Sequence, residues 1–125
     1  MQALVVDDSR AVRSILTRIL GELGFCVAQA ADGVEALAEL RKARPDVALV
    51  DWNMPHLNGL ELVVAIRRQG TYDGVKLMMV TTESETHQMV RALDAGADEY
   101  VMKPFTKDVI VGKLELLGFP VHQDA

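Results

Sequence analysis

Residues 3–8 read ALVVDD, a short apolar run that ends on two acidic residues. A second run, VALV at 47–50, ends on another acid, Asp51. Such short apolar runs are typical of strands buried on both faces of a parallel sheet. Side chains at the ends of these strands meet at one rim of the sheet, where several carboxylates repel one another unless they are protonated or bind a cation. The two runs therefore predict a parallel sheet with a cation site at one rim.

Helix signals fall between the strand-like runs. Apolar residues at helical spacing follow Ser9, a suitable N-cap, and predict a first helix that stops at Gly24. Asp32 and Asn58 each precede a glutamate by three residues, which is the spacing of a capping box, and predict the starts of the second and third helices. The other predicted elements are strands at 25–30, 76–81 and 99–103, a helix at 84–95, and a helix from the cap Thr106 to 117.

This alternation predicts the fold class. Five βα units in sequence are typical of an α/β protein with a doubly wound parallel sheet, right-handed crossovers and helices on both faces. No linker-like or low-complexity stretch interrupts the pattern. We expect residues 1–125 to form a single domain, with a core at 2–118 and a short tail at 119–125.

Composition narrows the classes of function. The formal net charge is -5, whereas nucleic-acid-binding domains normally carry a basic stripe, so a protein partner is favoured. Cys26 is the only cysteine, which rules out an internal disulfide and indicates a reducing compartment. We expect it to be buried in a strand. Neither a leader nor a membrane-spanning stretch is evident, and we expect a cytoplasmic location.

Polar side chains stand at the predicted carboxyl ends of four strands: Asp7, Asp8, Asp51, Thr81 and Lys103. In doubly wound sheets the ligand lies in the crevice at that edge, so these five surround one small volume if the first and third strands are neighbours. The set suits phosphoryl transfer to a carboxylate, in which one Asp attacks, a hard divalent cation neutralises charge, and a lysine and a hydroxyl bind phosphoryl oxygens. Helix capping or a solvated surface would explain any one of them alone.

Four motifs in this order resemble those of the response-regulator receiver family: VVDD at 5–8, DWNMP at 51–55, VTT at 80–82 and KPF at 103–105. The resemblance covers nearly the whole chain and is strongest to stand-alone chemotaxis receivers of the CheY type. It implies a flavodoxin-like, CheY-like sheet of order 2-1-3-4-5 with five helices. It also implies a response regulator of a two-component system, with chemotaxis as a candidate pathway, that accepts phosphate from a histidine kinase.

The resemblance implies which residues bind the cation. Asp51 would be the phosphoacceptor and also a ligand of Mg²⁺, for which Mn²⁺ could substitute. Asp8 would bind the ion directly, Asp7 through a water molecule, and Asn53 through its backbone carbonyl.

It also implies the contacts of the phosphoryl group and the route of the signal. Lys103 would pair with the phosphoryl group, and the bond before Pro104 would be cis. Thr81 would move its hydroxyl to the phosphate, coupled to a rotamer change of Tyr100. A downstream protein would then bind the face formed by the fourth helix, the fifth strand and the fifth helix.

Three residues are expected to tune water access to the phosphoryl group: Asn53, Thr82 and Glu83. Thr82 is β-branched where many family members carry a smaller residue, which would narrow the access. Asn53 and Glu83 match the chemotaxis type, and we therefore expect self-dephosphorylation that is not unusually slow. Partners would include the kinase, the downstream target and a phosphatase, and the chain would be a monomer or a weak dimer.

Other functions are weighed against this one. The chain would be a signalling switch that catalyses only its own phosphorylation and dephosphorylation, or a relay that passes phosphate to a histidine phosphotransfer protein. A Mg²⁺-dependent phosphatase with an Asp nucleophile is disfavoured because Asn53 stands where a second acid would be needed. A flavin or nucleotide module is disfavoured because residues 7–10, DDSR, offer two anions and no glycine to a phosphate.

Overall fold

The computed structural model describes residues 1–82 and 86–121, without the side chain of Thr86. These residues form five strands and five α-helices that alternate along the chain, as the sequence pattern predicts. The elements are β1 (Gln2–Val6), α1 (Arg10–Glu22), β2 (Cys26–Ala30), α2 (Gly33–Lys42), β3 (Val47–Val50), α3 (Gly59–Arg68), the short 3-10 helix η1 (Gly70–Tyr72), β4 (Lys76–Thr81), α4 (Thr86–Ala95), β5 (Glu99–Met102) and α5 (Lys107–Leu116). No helix in this part of the chain is both long and apolar enough to cross a membrane.

The strands form one parallel sheet in the order β2-β1-β3-β4-β5. The predicted order is confirmed, and the acid-terminated strands β1 and β3 are neighbours, with Val6 opposite Val50. Because all five strands run the same way, their carboxyl ends lie at one edge of the sheet. The residues that follow β1, β3, β4 and β5 are therefore brought to a common rim.

The two faces of the sheet are buried by different helices. Leu4 and Val6 of β1 pack in a cluster that includes residues of α2, α3 and α4. Ala3 and Val5 point the other way, into a cluster with α1 and α5. Since successive side chains of a strand point to opposite faces, a central parallel strand must be apolar throughout, which explains the uninterrupted runs at 3–6 and 47–50.

Side-chain caps fix where four helices begin. Ser9, Asp32, Asn58 and Thr106 each accept a hydrogen bond from the backbone N–H three residues on, at 2.8 to 3.2 Å. Asn58 and Glu61 form a complete capping box. All four predicted caps are confirmed, and each of them lies in a loop at the rim where the strands end. The predicted start of the fourth helix at Ser84 lies outside the described residues.

The expectation that Cys26 is buried is wrong. Cys26 is exposed, and of the five residues of β2 only Ala30 is fully buried. The reason is that β2 is an edge strand, so its first residues lack the cover that the central strands receive. Phe25, which we expected to belong to the strand, precedes it and is buried, with its ring 5.6 Å from that of Phe119.

Gly59, the first residue of α3, lies against the backbone that follows β3. Its N–H donates to the carbonyl of Trp52 at 2.8 Å. A Cβ at this position would overlap the carbonyl oxygen of Asp51 and would lie 2.8 Å from the Cα of Trp52. Only glycine lets α3 begin this close, and the start of α3 therefore fixes the peptide that follows Asp51.

We expect Gly59→Ala to lower the free energy of unfolding by roughly 1 to 3 kcal/mol, the usual cost of forcing atoms into a packed site. Urea denaturation would measure it. The matched control is Gly21→Ala in α1, where an added Cβ meets no atom within 4 Å. That variant should gain about 0.5 to 1 kcal/mol, because alanine favours a helix interior. A Gly59→Ala protein as stable as the wild type would contradict the packing argument.

Candidate functional site

Three carboxylates meet at the rim of the sheet. Asp7 and Asp8 follow β1, Asp51 follows β3, and one oxygen from each lies within 4.8 Å of the others. Asp7 is 1% exposed and Asp51 is 5% exposed, whereas Asp8 faces solvent. The cluster is therefore a bowl with two buried acids and one acid at its open side, through which an ion could enter.

Lys103 reaches this bowl from the end of β5. Its Nζ lies 2.8 Å from Oδ2 of Asp7 and 3.6 Å from Oδ2 of Asp51. The expected cis bond between Lys103 and Pro104 is present. The ammonium group thus lies between the two buried carboxylates and offsets part of their mutual repulsion.

Thr81 and Tyr100 belong to the two strands beside the site. Thr81 ends β4 and is 0% exposed, and its side chain forms a hydrogen bond with Asp51. Tyr100 lies within β5 opposite Met79, and its side chain is buried in the cluster beneath α3 and α4. The structure therefore places Thr81 at the acid cluster and Tyr100 in the core next to it.

An open cleft of about 580 Å³ adjoins the acid cluster. Its lining residues come from the ends of β1 and β3 and the loop before α3: Asp8, Trp52, Asn53, Met54, Pro55 and Asn58. Trp52, the only tryptophan, is also buried in the core. Asn53 is exposed beside Asp8, on the side of the cluster from which solvent has access.

The rim on the side of Lys103 is apolar. A cavity of about 350 Å³ lies there, and its lining is formed by α1 and the ends of β4 and β5: Val12, Ile15, Thr82, Lys103, Pro104 and Phe105. Thr82 is exposed. Asn53 and Thr82 therefore lie on two sides of the acid cluster, while Glu83, the third predicted access residue, lies outside the described residues.

Burial and the neighbouring charges of the acid cluster change the pKa of Asp51. Burial raises the pKa of this carboxyl, and the negative charge of Asp7 raises it further. The ammonium of Lys103, the hydrogen bond with Thr81 and the backbone N–H of Trp52 lower the same pKa, but they offset only part of the increase. Ionisation of Asp51 is thus less favourable in this site than in water, and added positive charge would favour it.

The donor set fits a hard divalent cation. Carboxylate oxygens are the ligands that Mg²⁺ prefers, and the ion usually keeps several waters, so a few protein ligands suffice. Within the described residues, Asp7, Asp8 and Asp51 are the one group of acids, histidines or cysteines close enough together to share an ion. The exposed position of Asp8 leaves room for the ion's waters.

One contact of the site was missed by sequence reasoning. Arg13 donates to the backbone carbonyl of Asp7 at 2.7 Å. The available signal is its position four residues after the N-cap Ser9, which places the side chain one turn into α1. An arginine there is usually part of a solvated helix face, and its spacing gives no sign that it turns back to the strand end.

Comparison with known proteins identifies relatives over most of the chain. Residues 3–115 match the response regulator receiver domain family. The chemotaxis protein CheY1 of Helicobacter pylori is 41% identical over 119 residues, which are 94% of this chain and 96% of that protein. A CheY homologue of Campylobacter jejuni is 44% identical over 117 residues, 92% of this chain and 90% of that protein. The structure of chemotaxis response regulator CheY4 of Vibrio cholerae is similar with a TM-score of 0.87 and 37% identity, over 93% of this chain and 97% of the other.

The raised pKa of Asp51 predicts how stability changes with pH when no divalent cation is present. Folded Asp51 keeps its proton to a higher pH than unfolded Asp51, so its ionisation costs stability as the pH rises through the raised pKa. Asp51→Asn removes this cost. In EDTA the variant should be more stable than the wild type near neutral pH, and its advantage should shrink as the pH falls toward the ordinary value of 3.8.

Urea denaturation across this pH range would test the expectation. Asp94→Asn, an exposed position on α4, changes the net charge equally without removing a buried acid, and its effect should be small. Saturating Mg²⁺ should stabilise the wild type more than Asp51→Asn. An Asp51→Asn protein that is less stable than the wild type near neutral pH in EDTA would contradict the argument.

Proposed function

This chain belongs to the response regulator receiver family, and we propose that it is a signalling switch controlled by phosphorylation of Asp51. The observation that carries this proposal is the arrangement of three carboxylates with the Lys103 ammonium between the two buried ones. A nucleophile, a cation site and a phosphate-binding lysine are the parts that phosphoryl transfer to a carboxylate requires.

In the proposed reaction, an oxygen of Asp51 attacks the phosphorus of a phosphohistidine on a kinase or of a small donor such as acetyl phosphate. A bond from Asp51 to phosphorus forms, and the bond from phosphorus to the donor breaks, with its electron pair leaving on the donor. Mg²⁺ or Mn²⁺, held by Asp7, Asp8, Asp51 and the carbonyl of Asn53, would neutralise charge on the phosphoryl oxygens.

The lysine and the hydroxyl bind the product. Lys103 lies 3.6 Å from Asp51, close enough for its ammonium to turn from Asp7 to a phosphoryl oxygen. The hydroxyl of Thr81 is already at Asp51 and would donate to a second phosphoryl oxygen. Contacts of this kind to a dianion are charge-assisted and therefore stronger than neutral hydrogen bonds.

The output of the switch is proposed to pass through Tyr100. On phosphorylation the hydroxyl of Thr81 would exchange its contact with the Asp51 carboxylate for one with a phosphoryl oxygen, and Tyr100 of the neighbouring strand would change its rotamer. This change would bias an existing equilibrium between two forms of the face made by α4, β5 and α5. Exposed apolar side chains on α4 and β5 support a protein contact there: Val90, Leu93 and Met102. We propose that a downstream protein binds this face.

The proposed partners are a histidine kinase, a downstream target and a phosphatase. Several relatives are named as chemotaxis proteins, and we propose a chemotaxis pathway for this chain on that basis. A cytoplasmic location and a monomeric or weakly dimeric state stay predictions. Asn53 and Thr82, together with Glu83, are proposed to set the rate of dephosphorylation by controlling water access to the phosphoryl group.

Incubation with Mg²⁺ and acetyl phosphate tests the phosphoacceptor. The wild type should gain one acid-stable, base-labile acyl phosphate, detected by intact-protein mass spectrometry, and Asp51→Asn should gain none. Asp8→Ala should lose Mg²⁺ affinity and phosphorylation together while it keeps its fold. Asp94→Asn is the matched control and should behave as the wild type. If Asp51→Asn were phosphorylated to the same extent as the wild type, Asp51 would not be the phosphoacceptor.

Fluorine NMR on protein containing 3-fluorotyrosine tests the output. The chain has two tyrosines, and Tyr72 in η1, at the opposite end of the sheet, serves as an internal reference for Tyr100. Phosphorylation should move the Tyr100 resonance and leave that of Tyr72 in place. Thr81→Ala should still accept phosphate but should lose most of this movement. An unmoved Tyr100 resonance in fully phosphorylated wild type would rule out the proposed switch.

A further inference from the structure

Arg13 lies in the early part of α1, outside the acid cluster, and is tied to two strands at the same rim. Its Nη1 donates to the backbone carbonyl of Asp7 at 2.7 Å, and its Nε donates to Oε1 of Gln29 at 3.2 Å. Asp7 follows β1, and Gln29 is the fourth residue of β2, opposite Val5. The partly buried guanidinium therefore joins α1 to the ends of two neighbouring strands.

Asp7 is held at each of its polar atoms. The N–H of Asp7 donates to the carbonyl of Ala30 at 3.1 Å, and its carbonyl accepts from Arg13. Its Oδ1 accepts from the N–H of Ser9 at 2.8 Å, and its Oδ2 accepts from Lys103 at 2.8 Å. The contact at Oδ2 comes from the lysine that also pairs with Asp51, whereas the other three come from backbone groups and from Arg13. These three contacts restrain the direction in which the carboxylate points.

We propose that Arg13 is a positioning residue for the divalent cation, because it fixes the loop that carries Asp7 and Asp8. Its contact holds the peptide between these two acids, so both carboxylates are presented to the ion before it binds. Without the contact, the loop would have to be ordered during binding, which costs affinity. The inference rests on the proposed function, since the cation is the Mg²⁺ of that function.

A purely electrostatic role of Arg13 would have the opposite effect. The guanidinium is a positive charge close to the site, and it repels a divalent cation. If charge alone mattered, loss of Arg13 would tighten Mg²⁺ binding. The positioning role predicts weaker binding instead, and the sign of the change therefore distinguishes the two.

Titration of the full chain with Mg²⁺, followed by the fluorescence of Trp52, tests the proposal. Trp52 lines the cleft beside Asp8 and is the only tryptophan. Loss of a residue that orients a metal ligand typically costs roughly 10 to 100-fold in metal affinity, and we expect Arg13→Met to bind Mg²⁺ about tenfold more weakly. Arg13→Lys keeps the charge and one donor and should recover part of the affinity.

Arg18→Met is the matched control. Arg18 is exposed on the same helix, and its loss changes the net charge equally. Among the described hydrogen bonds, Arg18 contacts neither Asp7 nor Gln29. It should bind Mg²⁺ with the wild-type affinity or slightly more tightly. Equal weakening by Arg18→Met and Arg13→Met would overturn the positioning role, and so would wild-type or tighter binding by Arg13→Met.

Gln29→Leu gives a second test that leaves Arg13 in place. It removes the anchor of the guanidinium at an exposed position, so it should keep the fold even if Arg13→Met does not. We expect a smaller loss of Mg²⁺ affinity, and no further loss when the change is added to Arg13→Met. If Gln29→Leu and Arg13→Met each bound Mg²⁺ with the wild-type affinity, this inference would be overturned, but the proposed function would not. A wild type that binds Mg²⁺ no better than Asp8→Ala would instead overturn the proposed function, and this inference with it.

Discussion

The repulsion among three carboxylates at one rim of the sheet is the constraint on which the site depends. Two of these acids, Asp7 and Asp51, are buried, and desolvation raises the pKa of Asp51 although three groups act to lower it. The neighbouring positions of β1 and β3 bring these acids together, and the Lys103 ammonium, which β5 places between the two buried acids, offsets part of their repulsion. The order of the strands is thus tied to the electrostatics of the site.

Much of the fold could be predicted from local signals in the sequence. The continuous apolar runs at 3–6 and 47–50 indicate central parallel strands, and the caps Asn58 and Thr106 mark helix starts that the structure confirms. The burial of Cys26 was predicted wrongly because position in the sheet, and not residue type, decides how much cover a strand receives. Apolar pattern alone does not identify which strand lies at the edge.

The site was predictable as a set of residues but not as a set of contacts. The acids follow their strands directly, so topology brings them together once the sheet order is known. The close approach of Gly59 to the Asp51 peptide and the contact of Arg13 with the Asp7 carbonyl depend on how α3 and α1 lie on the sheet. In the sequence, these two contacts are visible only as one glycine and one arginine. Both residue types usually occur for other reasons, so neither contact could be predicted from them.

Lys103 contacts both the proposed switch residue Thr81 and the acid cluster. Its backbone N–H donates to the carbonyl of Thr81 at 2.9 Å, so the two residues that would bind the phosphoryl group are joined through the ladder between β4 and β5, the strand that carries Tyr100. The same lysine is the partner of Asp7 Oδ2 at 2.8 Å. If its ammonium turns to a phosphoryl group on Asp51, Asp7 loses its closest positive charge.

A cation at Asp7 and Asp8 would then replace the charge that Lys103 withdraws. Binding of the cation and phosphorylation should favour each other for this reason, and such a coupling is necessarily reciprocal. The proposed role of Arg13 is consistent with this coupling. Asp7 would exchange Lys103 for the cation, and the contact of Arg13 with its carbonyl would keep the carboxylate in the same direction during the exchange. In this scheme the lysine would move between two acids, while the loop that carries one of them would stay in place.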